Sequence, residues 1–328
     1  GTITYGALTE SGDVYLWGYN GHGQCGSSTG TNQSTPVKHA GLSNIDSLTG
    51  GGGGAYGHWA AIDTSGNCYT WGYNGYGQLG HGNATSTSTA TQVSPQAGIK
   101  VAKALPAGGN SYGQTYFMMA NGRLYASGYN GYGPIGDGST TQRNSPVLVS
   151  TVGLETGKYV VDIFAPGGGY LDATRMALTE NGDVYGWGQN ARGSVGVGST
   201  SNVYTPQIVP ELKFISQFTT SGTTTSTSYY YNSYKAVCHD NFEDRMKRIN
   251  GTVKTAGYSN PSNGRYNMAT NETTYKAIFL DNRAAGRVRY AWSAGYHTSN
   301  TQEMTMYCID MDGRVWAWGY NSLSLIHI

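Results

Sequence analysis

A stretch of about twenty residues recurs along this chain, and the repeat limits the possible folds more than any other feature. The first copy is ALTESGDVYLWGYNGHGQCG (7–26), and the second is AIDTSGNCYTWGYNGYGQLG (61–80). The third and fourth read FMMANGRLYASGYNGYGPIG (117–136) and ALTENGDVYGWGQNARGSVG (177–196). A degraded fifth, RINGTVKTAGYSN (248–260), and a shorter sixth, CIDMDGRVWAWGYN (308–321), complete the series. The marker glycines Gly18, Gly72, Gly128, Gly188, Gly257 and Gly319 lie 54, 56, 60, 69 and 62 residues apart. This period is too long for helical or leucine-rich repeats and fits a four-stranded blade with variable loops.

Every copy contains a turn signal between short apolar runs: Ser11-Gly12, Ser65-Gly66, Asn121-Gly122, Asn181-Gly182, Asn250-Gly251 and Asp312-Gly313. Such pairs predict two-residue primed turns, and hence two adjacent antiparallel strands per unit. Beyond the second strand, Cys25, Leu79, Ile135 and Val195 fall in a glycine-rich corner and are apolar each time, which predicts core positions. Pro36, Pro95, Pro146 and Pro206 follow and suit edge strands or strand starts. Glycine clusters at 50–54, 108–109 and 167–169 precede the hairpins and predict close packing near a central axis. The 50 glycines of the 328 residues thus supply turns and close strand approach rather than flexibility.

The repeat resembles that of the RCC1-like (regulator of chromosome condensation) β-propeller family. In the second copy His58, Ala61, Ile62, Gly66, Tyr69, Trp71, Gly72, Asn74, Gly77, Gln78, Leu79, Gly80 and Gly82 stand in the family's register. The other copies depart from it. The histidine position holds Thr4, Gln114 and Thr174, and the tryptophan position holds Ser127 and Ala256 in copies three and five. The resemblance implies an all-β propeller with almost no helix, six blades visible and seven in an intact parent. It casts as structural repeat residues Trp17, Gly18, Asn20, Trp71, Gly72, Asn74, Gly128, Asn130, Trp187, Gly188, Asn190, Gly257, Asn260, Trp318, Gly319 and Asn321. A single propeller domain is expected over 1–322. The final LSLIHI (323–328) looks like a translated sequencing adapter, and the chain reads as a piece of a longer product.

The remaining chemistry is sparse. Twenty basic and 19 acidic residues give a net charge of +1, so no global field draws the protein to nucleic acid or an anionic membrane. No apolar run approaches the length needed to span a bilayer. Four separated cysteines, Cys25, Cys68, Cys238 and Cys308, show no zinc-ligand spacing, and the seven histidines form no HExxH pair. There is no G-x-S-x-G elbow or phosphate-loop lysine, and Asp13 and Asp183 occupy equivalent turns in different blades, poor geometry for an acid/base pair. His58 is expected to make a structural hydrogen bond. No catalytic residue, metal or cofactor is expected.

Two features suit binding. Nine basic residues (Arg245, Lys247, Arg248, Lys254, Arg265, Lys276, Arg283, Arg287 and Arg289) are opposed over that span only by Glu272 and Asp281. Arg283, Arg287 and Arg289 mark either a basic face for an anionic partner or a solvated face of a divergent blade. The segment SGTTTSTSYYYNSY (221–234) has the composition of an adaptable binding loop, which makes Tyr229, Tyr230, Tyr231 and Tyr234 either a recognition surface or part of a polar loop. Tyr19, Tyr73, Tyr129 and Tyr320 read as repeat structure, and the sequons at Asn32, Asn83, Asn250 and Asn271 matter only in a eukaryotic secreted setting. The expected function is a non-enzymatic scaffold for a protein or glycan partner at a cell or virion surface, as in an adhesin or tail fibre. Guanine-nucleotide exchange or chromatin association is the alternative that the family implies, and a propeller-type enzyme inhibitor is a third.

Overall fold

A computed structural model describes, with side chains, residues 3–27, 30–52, 54–108, 112–150, 159–165, 173–180, 183–191 and 193–209, and beyond them the backbones of seven strands between 215 and 319. Among the described residues the regular structure is strand, apart from one 3-10 turn at Gly54–Tyr56. These strands form six antiparallel sheets, taken here in chain order. Sheet I holds β1 (Thr4–Leu8), β2 (Val14–Gly18) and β3 (Gln33–Lys38). Sheet II holds β4 (Ile45–Gly51), β5 (His58–Asp63), β6 (Cys68–Gly72) and β7 (Thr87–Val93). Sheet III holds β8 (Val101–Ala107), β9 (Gln114–Met119), β10 (Leu124–Gly128) and β11 (Arg143–Leu148).

Sheet IV holds β12 (Val160–Phe164), β13 (Thr174–Thr179), β14 (Val184–Gly188) and β15 (Val203–Ile208). Sheet V holds β16 (Ile215–Ser221), β17 (Lys235–Asp240), β18 (Thr252–Tyr258) and β19 (Asn271–Ala277). Sheet VI holds β20 (Val288–His297), β21 (Gln302–Asp310) and β22 (Val315–Gly319). The chain divides into two compact units. One comprises 1–151 and 167–170 and contains sheets I to III, and the other comprises 152–166 and 171–328 and contains sheets IV to VI.

The central hairpin of each of sheets I to IV is the recurrent motif, with β1–β2, β5–β6, β9–β10 and β13–β14 paired in continuous register. In sheets I to III its turn is not the two-residue primed type. Gly12 N–H donates to Thr9 O at 3.0 Å, and Thr9 N–H donates to Asp13 O at 3.0 Å. The pattern repeats at Gly66 to Asp63 and at Gly122 to Met119. Each loop therefore has three residues, a type I turn closed by a left-handed glycine in a bulge. Gly12, Gly66 and Gly122 have φ of 78°, 80° and 72°, whereas Asn44 is the one non-glycine with positive φ among the described residues. One left-handed position suffices, so an x-Gly pair fits either turn.

Prolines mark the last strands as expected in three sheets: Pro36 lies on β3, Pro146 on β11 and Pro206 on β15. Pro95 does not, because it follows β7, and the register places Ala90 at the equivalent position. In all four sheets this outer pairing slips opposite the tryptophan position.

Both faces of sheet II are buried. Ala61 and Trp71 pack with Val14, Leu16, Cys25, Leu42 and Ile45, while Ala60, Ile62, Cys68 and Val93 pack with Val101, Ala104, Phe117 and Met119. The alternation of side chains along β5 thus feeds two separate cores. The corner residues Cys25, Leu79, Ile135 and Val195 are buried as predicted. In the first glycine cluster, a Cβ on Gly51 would collide with the carbonyl of Pro106, and one on Gly50 would lie 2.7 Å from the Trp59 ring. Close strand approach, β4 against β8, is what that cluster permits.

Candidate functional site

The corner that follows each central hairpin is held by one asparagine. Asn20, Asn74, Asn130 and Asn190 are buried, and each accepts through Oδ1 the main-chain N–H five residues on, from Cys25, Leu79, Ile135 and Val195, at 2.8 to 3.0 Å. Each Nδ2 donates to the carbonyl eleven residues on, of Thr31, Thr85, Thr141 and Ser201, at 3.0 or 3.1 Å. A buried amide with both ends satisfied fixes the loop rigidly. The preceding glycines Gly18, Gly72, Gly128 and Gly188 have φ of 106°, 105°, 118° and 92°, and the next N–H bonds back to the start of the hairpin, as from Tyr73 to Gly57 O at 3.1 Å.

Neighbouring sheets are joined at the same corner. Trp71 Nε1 donates to Gln24 O at 3.0 Å, and Ser127, at the tryptophan position of sheet III, donates its hydroxyl to Gln78 O at 3.2 Å. His58 is fully buried, and its Nε2 lies 3.1 Å from Gln114 O and 3.0 Å from Thr115 Oγ1 in sheet III. Burial lowers its pKa to about 4, so it stays neutral and structural. Thr4 and Thr174 at this position bond within their own sheets, to Tyr19 O and Gln189 O, at 2.6 Å. Trp187 is buried like Trp71, whereas Trp17 is half-buried and stacks on Tyr5 with centroids 5.8 Å apart.

The rigid corners carry an aromatic surface. At the junction of sheets I and II, Tyr56 meets Tyr73 edge-on at 4.9 Å, and His22 lies 4.8 Å from Tyr73 and 5.9 Å from Tyr56. The next junction repeats the arrangement: Tyr76, Tyr112 and Tyr129 have centroids 5.1, 5.2 and 4.5 Å apart. Each triad takes one ring from the corner loop of one sheet and two from the next sheet, one ahead of its central hairpin and one behind its marker glycine. The rings are half-buried apart from Tyr56, which is 37% exposed. Glycine lets the tyrosines lie flat, since a Cβ on Gly21, Gly75 or Gly131 would strike the hydroxyl of Tyr19, Tyr73 or Tyr129.

The segments 18–27, 50–57, 72–80, 108–113 and 128–136 contain no Asp, Glu, Lys or Arg. Burial lowers the His22 pKa, which keeps that ring neutral as well. Burial, reinforced by the neighbouring phenols of Tyr76 and Tyr56, raises that of Tyr73. The surface is uncharged and rich in phenol donors.

The structure does not describe the side chains of the residues singled out for binding. Tyr229, Tyr230, Tyr231, Tyr234, Arg283 and Arg287 are outside the described residues, and Arg289 is placed only as a backbone position on β20. Gly257, Trp318 and Gly319 lie on β18 and β22, while Asn260 and Asn321 are outside the described residues. Asp13 pairs with Lys38 at 2.8 Å at the hairpin end of sheet I. Among the described residues no group of three His, Cys, Asp or Glu side chains could hold a metal, and no helix is long and apolar enough to cross a membrane. The triads escaped the sequence reading because their members come from different repeats. The available signal was a tyrosine following each of the first two glycine clusters, at Tyr56 and Tyr112.

The profile of the regulator of chromosome condensation (RCC1) repeat matches residues 11–54, 65–104 and 181–226. Over 219 residues the chain is 28% identical to the ultraviolet-B receptor UVR8 of Arabidopsis thaliana, covering 63% of this chain and 44% of that protein. It is 33% identical over 152 residues to the human X-linked retinitis pigmentosa GTPase regulator, covering 46% of this chain and 14% of the relative. The chain thus spans less than half the length of these relatives. Prp20p from Saccharomyces cerevisiae, whose crystal structure was reported with its binding to Gsp1p and histones, shares the fold at a TM-score of 0.60 and 16% identity, over 96% of this chain and 68% of that one. The four-stranded sheets are blades of the β-propeller type, and the chain carries RCC1 repeats over residues 11–54, 65–104 and 181–226.

Proposed function

We propose that this chain is a non-enzymatic protein-binding scaffold and that the aromatic corner loops of sheets I to III are its contact surface. The observation that carries the reading is the repetition of one uncharged aromatic triad at two successive junctions, with two of its three rings on the corner segments held by buried asparagines. Rigid tyrosines provide large amphipathic contact area at little entropic cost. The RCC1-repeat relatives, a receptor and a GTPase regulator, support a binding role. They lend no specific support to glycan binding, an adhesin or a tail fibre.

A photo-crosslinking residue placed at Tyr56 or Tyr112 in the chain, expressed in its native cells, is expected to give a discrete protein adduct. The same residue at Glu10 or Thr64, on the hairpin ends, gives none. Adducts only from the hairpin ends would overturn the assignment.

A second reading, nucleotide exchange on a small GTPase, is favoured by the likeness to Prp20p and to the GTPase regulator. It predicts accelerated release of labelled guanine nucleotide from a Gsp1p-type GTPase, and no acceleration would exclude it.

A further inference from the structure

We infer that Asn121 is a site of spontaneous modification: in the folded chain the Asn121-Gly122 pair converts to aspartate and isoaspartate, while chemically identical pairs at the sheet corners stay intact. Asn-Gly occurs seven times in the sequence, at Asn20, Asn74, Asn121, Asn130, Asn181, Asn250 and Asn263. The last three pairs lie outside the described residues, and the fold puts the other four in two contrasting settings.

In this reaction the glycine nitrogen attacks Cγ of the asparagine side chain. Its proton and the Nδ2 amino group leave together as ammonia, and a cyclic succinimide remains. Water then opens the ring at either carbonyl, giving aspartate or an isoaspartate whose backbone runs through Cγ. Glycine favours the step because no Cβ hinders the approach. The asparagine must still swing Cγ toward the next nitrogen, release Nδ2 and admit water.

At the corners all three requirements are blocked. Asn20, Asn74 and Asn130 are fully buried, and Oδ1 of each accepts a main-chain N–H at 2.8 to 3.0 Å. Nδ2 donates to the carbonyl eleven residues on and to further oxygens: of Ser27 from Asn20, of Asn83 from Asn74, and of Asp137 and Ser139 from Asn130. Attack would have to break several of these bonds at once.

Asn121 is half-buried at the turn between β9 and β10. Its Oδ1 accepts from Arg123 N–H and its Nδ2 donates to the Gln96 side chain, both at 3.2 Å. Gly122 N–H is held by one turn-closing bond, to Met119 O at 2.9 Å. All three bonds sit at the end of a hairpin, where opening a single turn frees every reacting atom. Sheets I and II carry Ser11 and Ser65 at the same turn position, so of the first three hairpins only that of sheet III can react. Conversion replaces the donor to Gln96 by a carboxylate oxygen and adds a negative charge there.

The test incubates the full native chain in mildly alkaline buffer and follows each pair by peptide mapping, with isoaspartate measured by enzymatic methylation from labelled S-adenosylmethionine. Asn121 is expected to convert about tenfold or more faster than Asn20, Asn74 and Asn130, the factor that one buried hydrogen bond lost on the way to the reacting state carries. In denaturant the four rates should converge. Ser65→Asn, which puts the same pair on the sheet II turn, should add a second converting site. Equal native rates at the four pairs, faster conversion at a corner, an Asn121 that converts only in denaturant, or an intact pair in the Ser65→Asn variant overturns the inference.

Discussion

The indole Nε1 of Trp71 donates to the main-chain carbonyl of Gln24 across the junction of sheets I and II, at 3.0 Å. Ser127 makes the equivalent bond to Gln78 one junction later. The corner carbonyl therefore asks for a donor from the next sheet, and the size of the residue that supplies it varies. Trp71→Phe keeps most of the packing but leaves a buried acceptor bare, and is expected to cost about 1–3 kcal/mol in urea unfolding. Ser127→Ala should cost about 1 kcal/mol and Trp71→Ala about 3–5 kcal/mol.

Asn74 is bonded at both ends of its amide, from Leu79 N–H and to the carbonyls of Asn83 and Thr85. Asn74→Ala strands the buried Leu79 N–H and removes the donor to two part-buried carbonyls, and is expected to lower stability by about 2–4 kcal/mol, measured from the denaturant midpoint. Asn74→Asp keeps the acceptor yet turns the donor into a second acceptor facing carbonyls, so it should rescue little at neutral pH.

Glycine positions separate by what surrounds them. Gly72 has φ of 105°, and a Cβ there would lie 2.9 Å from the Gly57 carbonyl oxygen; Gly98 has φ of 73° and open space around it. Gly98→Ala should cost only the left-handed strain, about 1–2 kcal/mol, and Gly72→Ala clearly more. Thermal unfolding of the two variants side by side decides this.

Acid should destabilise the first unit partly through His58. Burial places its folded-state pKa at about 4, below the ordinary value of 6.5. The neutral ring therefore contributes its full stability above about pH 6.5, and that contribution fades as pH falls toward 4, by at most about 3 kcal/mol. Unfolding free energies of the parent and of His58→Gln across pH 4 to 7 should show a shallower pH dependence in the variant.

Repetition made the sheets, central hairpins and buried corners legible before any coordinates, because six copies of one pattern cancel the ambiguity of each. Details that depend on a single choice were not. Ser11-Gly12 is compatible with two turn types that differ by one left-handed residue, and Pro95 imitates the spacing of Pro36 while Ala90 holds the strand position. The triads lay beyond sequence reasoning for a related reason. Tyr76 and Tyr112 meet only because one sheet packs its corner against the next, a relationship that no local pattern records.

The most direct test of the aromatic surface is hydrogen–deuterium exchange of the full chain with and without the protein captured by crosslinking at Tyr56 or Tyr112. Exchange is expected to slow in 52–57, 73–77 and 108–113. It should stay unchanged at the hairpin turns 9–13, 63–67 and 119–123, roughly a strand length of 16 Å away. Protection of the hairpin turns with none at the corner loops would contradict the account.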